Sequence, residues 1–268
     1  YFVAELELWI DAIQENLGTT QSQQIIAVYR WMLTVHEQVI ELSLLEQENI
    51  YSQDEREITL QKRLLGVLLE GNHRAAFSLF EEHIINWVEY RYFFNNIVYP
   101  NMVKVGLEWE NGNITTAEEH LATAIIYKIL SYFYFKQNND APYRGVAVVS
   151  AAPNEFHEMG AWMVANDLEM DGWEVKYLGA NTPKGDLLST LRNTSPSILA
   201  LSAALPMHLD QLIEIVAEVK SNDELKDIAV MVGGHAFDTN PGLFKTTGAD
   251  IYLKNSYEAV MQARAWLN

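Results

Sequence analysis

From residue 142 onward, five short β-rich runs alternate with five helical stretches, and this alternation constrains the fold more than any other feature of the chain. The apolar runs fall at 145–150, 173–178, 197–202, 228–232 and 250–253. The helical patterns lie near 158–171, 183–193, 208–221, 241–247 and 256–267. Short strands separated by single helices cannot pair as hairpins, so the pattern predicts a doubly wound, five-stranded parallel α/β sheet with helices on both faces. Such sheets bind ligands at the C-terminal ends of their strands. The loops after the first, third and fourth runs are therefore where chemistry is expected.

The first half of the chain reads as helices. Phe2, Leu6, Trp9, Ile10, Ile13 and Leu17 are helically spaced, and Gly18-Thr19-Thr20 supplies a stop and a new start. A longer pattern runs from Gln21 to about Glu57, with Ile25, Val28, Met32, Val35, Val39 and Leu42 alternating steps of three and four. This stripe suits a helix–helix seam. Ile26, Tyr29, Leu33 and Ile40 widen it beyond a two-stranded coiled coil, which favours packing within the chain over packing between copies. Further helices are expected at 58–70, 73–82, 84–107 and from Thr115 or Thr116 to about Tyr134. The third is strongly aromatic and should break or kink at Pro100. The last opens with a capping box, either Thr115 with Glu118 or Thr116 with Glu119. Short loops join these helices into a four-helix bundle. With Asn138-Asn139-Asp140-Ala141-Pro142 as the linker, the expected divisions are an N-terminal helical segment at 1–54, the bundle at 55–138 and the α/β domain at 142–268.

Composition removes whole classes of function. The chain has 36 acidic against 18 basic residues, a formal net charge of −18, and offers no basic face to phosphates, so direct nucleic-acid binding is not expected. It contains no cysteine, which excludes disulfides, thiolate metal sites, a cysteine nucleophile and a thioether-linked pigment. No apolar run reaches the roughly 18 residues of a membrane span, and no leader pattern opens the chain, so a cytoplasmic protein without a membrane partner is expected.

The loop after the first run is Asn154-Glu155-Phe156-His157-Glu158-Met159-Gly160. A carboxylate two residues before an imidazole can hold the proton of one ring nitrogen and leave the other lone pair facing a metal. A surface histidine in a βα loop satisfies the same seven residues. After the third run comes Ser202-Ala203-Ala204-Leu205, and after the fourth Gly233-Gly234. Small residues there clear space for a bulky group lying against the backbone, although each loop alone reads equally as a tight turn. No G-x-G-x-x-G follows the first run and no P-loop occurs, so the sheet is not expected to serve a dinucleotide.

Together the three loops resemble the vitamin B12 (cobalamin)-binding domain, whose pattern is D-x-H-x-x-G, S-x-L and G-G on a flavodoxin-like, Rossmann-like sheet. Glu155-x-His157-x-x-Gly160 matches with glutamate for aspartate, Ser202 matches the serine, and Gly233-Gly234 the glycine pair. Ala204 stands in the leucine place, with Leu205 next. The resemblance implies that His157 replaces the cofactor's own benzimidazole as the lower ligand of cobalt, with Glu155 fixing its tautomer. It also implies that the benzimidazole tail lies in a cleft lined by Ser202, Gly233 and Gly234. Phe156, Glu158, Met159, Ala204 and Leu205 would border the cofactor, with His235 near the tail.

A second match lies in the bundle. Trp109 is followed ten residues later by Glu119 and then His120, similar to the W-x9-E-H signature in the helical cap of light-sensing B12 proteins of the CarH/LitR group. That resemblance implies that Trp109, Glu119 and His120 cover the upper face of adenosylcobalamin. Residues 1–54 do not resemble the MerR-type DNA-binding domain of those regulators, and Glu110 stands where the group often has a cobalt-ligating histidine. The expected function is a photosensory, non-enzymatic protein holding adenosylcobalamin between cap and sheet. Light would be reported to a partner protein or a second copy through the N-terminal helices. The alternative is a corrinoid carrier for methyl transfer, whose motif typically runs D-x-H-D-I-G-K-N, whereas this chain continues Glu158-Met159-Gly160-Ala161-Trp162. The aromatic helix reads as core; similarity to photocobilins adds a non-covalent bilin as a candidate second chromophore. His36, His73, His83 and His208 read as surface or core-edge residues.

Overall fold

The computed structural model describes residues 2–17, 19–49, 54–137, 140–238 and 240–267. The chain divides into two units, Tyr1–Ile58 and Thr59–Asn268. Among the described residues no helix is long and apolar enough to cross a membrane.

In the first unit, helix α1 (Phe2–Asn16) lies against α2 (Thr19–Asn49). Leu6, Ile10 and Ile26 are buried, while Ile25, Val28 and Val39 of the expected internal seam are exposed, as is Trp31. Two helices can bury only one stripe from each, and here the flanking position Ile26 takes the inside. Leu42 falls outside the described side chains. The helix expected at 58–70 is α3 (Glu55–Leu69), which begins three residues early, within the range expected for the helix before it. Asp54 sets the start, its carboxylate accepting the Arg56 N–H at 2.8 Å.

The second unit opens with the helical cap: α3, α4 (His73–His83), α5 (Trp87–Phe93), α6 (Tyr99–Glu110) and α7 (Thr116–Phe135). Its core gathers Leu64, Leu68, Phe80, Ile97, Ile126, Leu130 and Phe133, with Tyr90, Phe93 and Phe94 from the aromatic stretch. Pro100 does not break this stretch. A π turn at Phe94–Val98 joins α5 to α6, so that Pro100 falls in the first turn of α6, where its missing N–H costs little. The Asn96 carbonyl, four residues before Pro100, accepts the Gln61 side-chain amide from α3 at 2.7 Å. A helix-breaking residue is thereby absorbed by one turn and one partner 35 residues away in sequence.

The α/β domain is a five-stranded parallel sheet in the order β2-β1-β3-β4-β5. Its strands are β1 (Gly145–Ala151), β2 (Trp173–Gly179), β3 (Ile198–Ser202), β4 (Ala229–Gly233) and β5 (Ile251–Leu253). Helices α8 (Met159–Met170), α9 (Lys184–Thr194), α10 (Leu209–Ser221), α11 (Phe244–Thr247) and α12 (Ser256–Trp266) follow them in turn. Ala151 pairs with Ser202, and Ser202 with Gly233, so β1, β3 and β4 end level at one edge. The chain leaves β1 and β3 in opposite directions there, which opens the crevice that such sheets use for ligands.

Helix α8 belongs to both halves of this unit. Ala161, Ala165 and Leu168 pack on the sheet, while Met159, Trp162 and Met163 enter the cap core. Polar contacts fix the same joint: the Trp87 indole donates to Asp167 at 3.0 Å, Arg91 lies 3.8 Å from that carboxylate, and the Tyr134 hydroxyl donates to Glu169. Burial pushes the Asp167 carboxyl up from 3.8 to about 6, against the opposing pull of Ser256, Arg91 and Trp87. A carboxyl raised in the folded state contributes its full stability below the unfolded value and loses it as pH rises through about 6. Asp167→Asn keeps an acceptor for Trp87 and abolishes the titration. Relative to the parent, the variant should gain about 2–3 kcal/mol between pH 4 and pH 8. Urea denaturation of both proteins at the two pH values checks it, and an unchanged difference would contradict it.

Candidate functional site

The three loops expected to carry chemistry meet around one carboxylate. Glu155 is fully buried, at 0% exposure, and both its oxygens are engaged. Oε1 accepts the His157 backbone N–H at 2.9 Å and pairs with His157 Nδ1 at 2.6 Å. Oε2 accepts the backbone N–H groups of Ala204 at 2.8 Å and Leu205 at 3.0 Å. Burial pushes this carboxyl up, but the bonds from His157, Leu205 and Ala204 outweigh it and hold it at about 2. Ala204 and Leu205 thus act through their amides rather than their side chains, which makes the departure at the leucine place inconsequential for this contact.

The backbone holds the first loop in place. Asn154 and Asn181 both adopt positive φ, and the Asn181 side chain accepts the Asn154 N–H at 2.9 Å while its own N–H donates to the Glu155 carbonyl. Asparagine tolerates this conformation better than most residues. The outcome is an imidazole with one nitrogen engaged and a side chain that is 63% exposed. Its pKa is raised, first by the bond to Glu155 and further by the carboxylates of Glu155, Glu119 and Glu110. The last two belong to the cap, so the cap turns negative charge toward His157.

Among the described residues there is no group of three or more His, Asp or Glu side chains that could hold a bare metal ion. A single exposed imidazole oriented by a buried carboxylate suits a metal that brings its remaining ligands with it, as cobalt does in a corrin ring. The donor chemistry of the site fits that cofactor.

Behind the loops a cleft runs between sheet and cap. Ser202, Gly233 and Gly234 line it, as expected, together with Gly160, Met163, Val149 and Met231. The cap contributes Phe94, Asn95 and Tyr99. Lys254, Asn255 and Ser256 after β5, and Asp238, also line it and were not anticipated. The rule that led to the loops after β1, β3 and β4 extends to β5, and would have found the first three. An apolar floor with a polar mouth fits a benzimidazole carrying a nucleotide-like tail.

The glycine pair also has a reason within the fold itself. Gly234 has φ +106°, and a Cβ on it would lie 2.2 Å from the Ala203 carbonyl oxygen; on Gly233 it would lie 2.8 Å from that of Leu253. Backbone packing between neighbouring loops excludes side chains there, whatever occupies the cleft. The remaining residues separate. Phe156 is exposed. Glu158 accepts the Tyr177 hydroxyl at 2.9 Å, on the β2 side of the site. Met159 packs into the cap core, and His235 pairs with Asp238 at 2.9 Å. His83 behaves as a core-edge residue, bonded to the Leu79 carbonyl.

On the cap, Trp109 is half exposed and its indole donates to Thr116 at 3.1 Å. The capping box is Thr115 with Glu118. Glu119 is therefore not spent on capping; it accepts the Thr123 hydroxyl at 2.8 Å and lies 3.5 Å from His120.

A cap of packed helices joined through α8 to a 2-1-3-4-5 parallel sheet, with a carboxylate-held histidine at the switch point, defines a corrinoid-binding architecture. Known proteins agree: a model described as B12 binding domain matches residues 145–263, and a second of the same description matches residues 60–134. The chain is a two-domain, cobalamin-binding protein, a helical cap followed by a Rossmann-like domain. Dimethylamine corrinoid protein 3 of Methanosarcina acetivorans is 29% identical over 123 residues, 46% of this chain, which spans only 57% of that relative's length. Trimethylamine corrinoid protein of Methanosarcina barkeri is 26% identical over 172 residues, covering 62% of this chain and 77% of the relative. The solved structure of the M. barkeri monomethylamine corrinoid protein has the same fold, with a TM-score of 0.63 at 16% identity over 78% of this chain and 98% of that one.

Proposed function

We propose that this chain is a corrinoid carrier for methyl transfer, the alternative reading of the sequence, rather than a catalyst in its own right. One observation carries the site assignment: buried Glu155 is bonded to His157 and to two amides of the β3 loop, leaving the second imidazole nitrogen available as a lower cobalt ligand. The carrier role is supported by the relatives named as methylamine corrinoid proteins, one of which aligns over 172 residues, longer than either matched domain. A bound cobalamin would supply a cobalt–carbon bond whose cleavage releases the carbon group, either to an acceptor as a methyl group or on illumination. In this reading His157 would hold the cobalt through its second ring nitrogen, and Glu155 would keep the Nδ1 proton in place. The cleft of Ser202, Gly233 and Gly234 takes the tail. The cap, through Trp109, Glu119 and His120, borders the upper face, and partner proteins supply and accept the methyl group.

A second reading is the light sensor holding adenosylcobalamin. It is favoured by Glu119, which the Thr115–Glu118 capping box leaves out of helix capping, although it accepts from Thr123, and whose charge reaches His157. Coupling would then require the cap to contact the two light states differently. The aromatic helix offers a bilin no site of its own: Tyr90 and Phe93 are buried in the cap core, and Phe94 and Tyr99 line the cleft assigned to the cobalamin tail.

Competitive loading of the apoprotein with methylcobalamin and adenosylcobalamin in the dark, followed by illumination and sedimentation, separates the readings. Preferential retention of methylcobalamin, with no light-dependent change in mass or shape, is expected. Preferential retention of adenosylcobalamin with such a change would replace the carrier by the sensor. Binding of neither would defeat both.

A further inference from the structure

The cap carries a groove between α4 and α7 that the cofactor reading leaves unused. Phe77, Leu121, Ile125 and Ile129 form its floor, and Arg74 and Lys128 stand on its rim. One turn beyond Lys128 the same face of α7 continues with exposed Tyr132, against which Lys136 packs at 4.9 Å. Arg74, Lys128 and Lys136 are all exposed, and none of them is ion-paired among the described residues. On the sheet, by contrast, Lys184, Lys220 and Lys226 each lie against a carboxylate. In a chain of net charge −18, an apolar groove edged by three uncompensated cations selects an acidic, apolar-faced partner.

This chain contains such a partner. Residues 1–58 hold eleven acidic and two basic side chains. Outside their own core of Leu6, Ile10 and Ile26 they expose Leu8, Trp9, Ile25, Val28 and Trp31, with Trp31 at 61%. Exposed apolar area of this kind marks an interaction surface. We propose that the α1–α2 hairpin of one copy docks into the α4–α7 groove of a second copy, and reciprocally, giving a twofold dimer. Both complementary faces are present once per chain, so two copies satisfy both at the same time.

Sedimentation equilibrium of the full chain at low and high salt tests the proposal, with and without hydroxocobalamin. The expected mass is twice the chain's, with association weakening in salt. Arg74→Glu with Lys128→Glu should give a monomer, and so should Glu7→Lys with Asp11→Lys on the hairpin. All four positions are exposed, so the circular dichroism of both variants should match the parent. Mixing the two monomeric variants should restore the dimer, because each reversed groove then meets a reversed hairpin. A parent monomer at every concentration, a dimer indifferent to the groove reversal, or a mixture that stays monomeric would overturn the proposal.

Discussion

Replacing Glu155 by alanine should cost the apoprotein about 4 kcal/mol and should also release His157. The carboxylate is buried and accepts from the His157 amide and ring and from the amides of Ala204 and Leu205. Hydrogen bonds to a charged acceptor contribute about 1.5–3 kcal/mol each, and a buried donor left unpaired costs about 1–3 kcal/mol. Not all of these terms add, because water can enter the space that alanine leaves, and about 4 kcal/mol is what survives that discount. For a unit of this size the melting temperature should fall by about 10 °C. Glu155→Gln is the informative companion. It keeps the shape but turns an NH2 group toward donors on one side, so it should approach the alanine variant rather than the parent. If Glu155→Gln melted with the parent, shape alone would suffice and the negative charge would not be what joins the two loops. Protein loaded with cobalamin adds a second measurement: electron paramagnetic resonance of the reduced cobalt centre should show nitrogen coupling in the parent. That coupling should disappear in His157→Ala.

Much of this site was legible in the sequence because its parts are local. The β/α alternation after residue 142 places each loop at a strand end, and the observed strands differ from the expected ranges by at most one residue at each end. The spacing from Glu155 to His157 lies within one loop, where two residues suffice to bring carboxylate and imidazole together. Contacts that join distant segments were not legible. Nothing in the sequence around Ala204 and Leu205 says that their amides face a carboxylate about fifty positions earlier. A motif specifies side chains, and these residues contribute backbone. The absorption of Pro100 depends on Gln61, which reads only as one polar residue on a helix. The helical stripe over 21–57 had the right periodicity and the wrong inside face. Periodicity reports that a face is apolar but not which neighbour it meets, and Ile26 rather than Ile25 or Val28 is buried.

Gly234 and Gly160, two of the three glycines of the cofactor motifs, should respond differently to alanine, because different atoms stand opposite them. Gly234→Ala places a Cβ at 2.2 Å from the Ala203 carbonyl oxygen and 2.9 Å from its nitrogen, at φ +106° and ψ 164°. That backbone region is essentially restricted to glycine and costs other residues about 1–3 kcal/mol. Relief of the overlap means parting the β3 and β4 loops, which are held by Ala203 N–H to Gly233 at 3.0 Å and Ala236 N–H to Ala203 at 3.2 Å. Losing both bonds adds about 1 kcal/mol each, for a total of about 3–5 kcal/mol. Since Ala203 is continuous with Ala204, the shift would also pull the β3 loop away from Glu155. Gly160→Ala, by comparison, brings its Cβ no closer than 3.9 Å to the Ser202 hydroxyl, and its φ is not positive. In a helix it should leave the apoprotein as stable as the parent or slightly more so. Any loss of cobalamin affinity in Gly160→Ala would then report a cofactor lying against the start of α8. Thermal melts and cobalamin titrations of the two variants separate the effects. A Gly234→Ala protein that melts with the parent would show that the β3–β4 contact is not what excludes a side chain at that position.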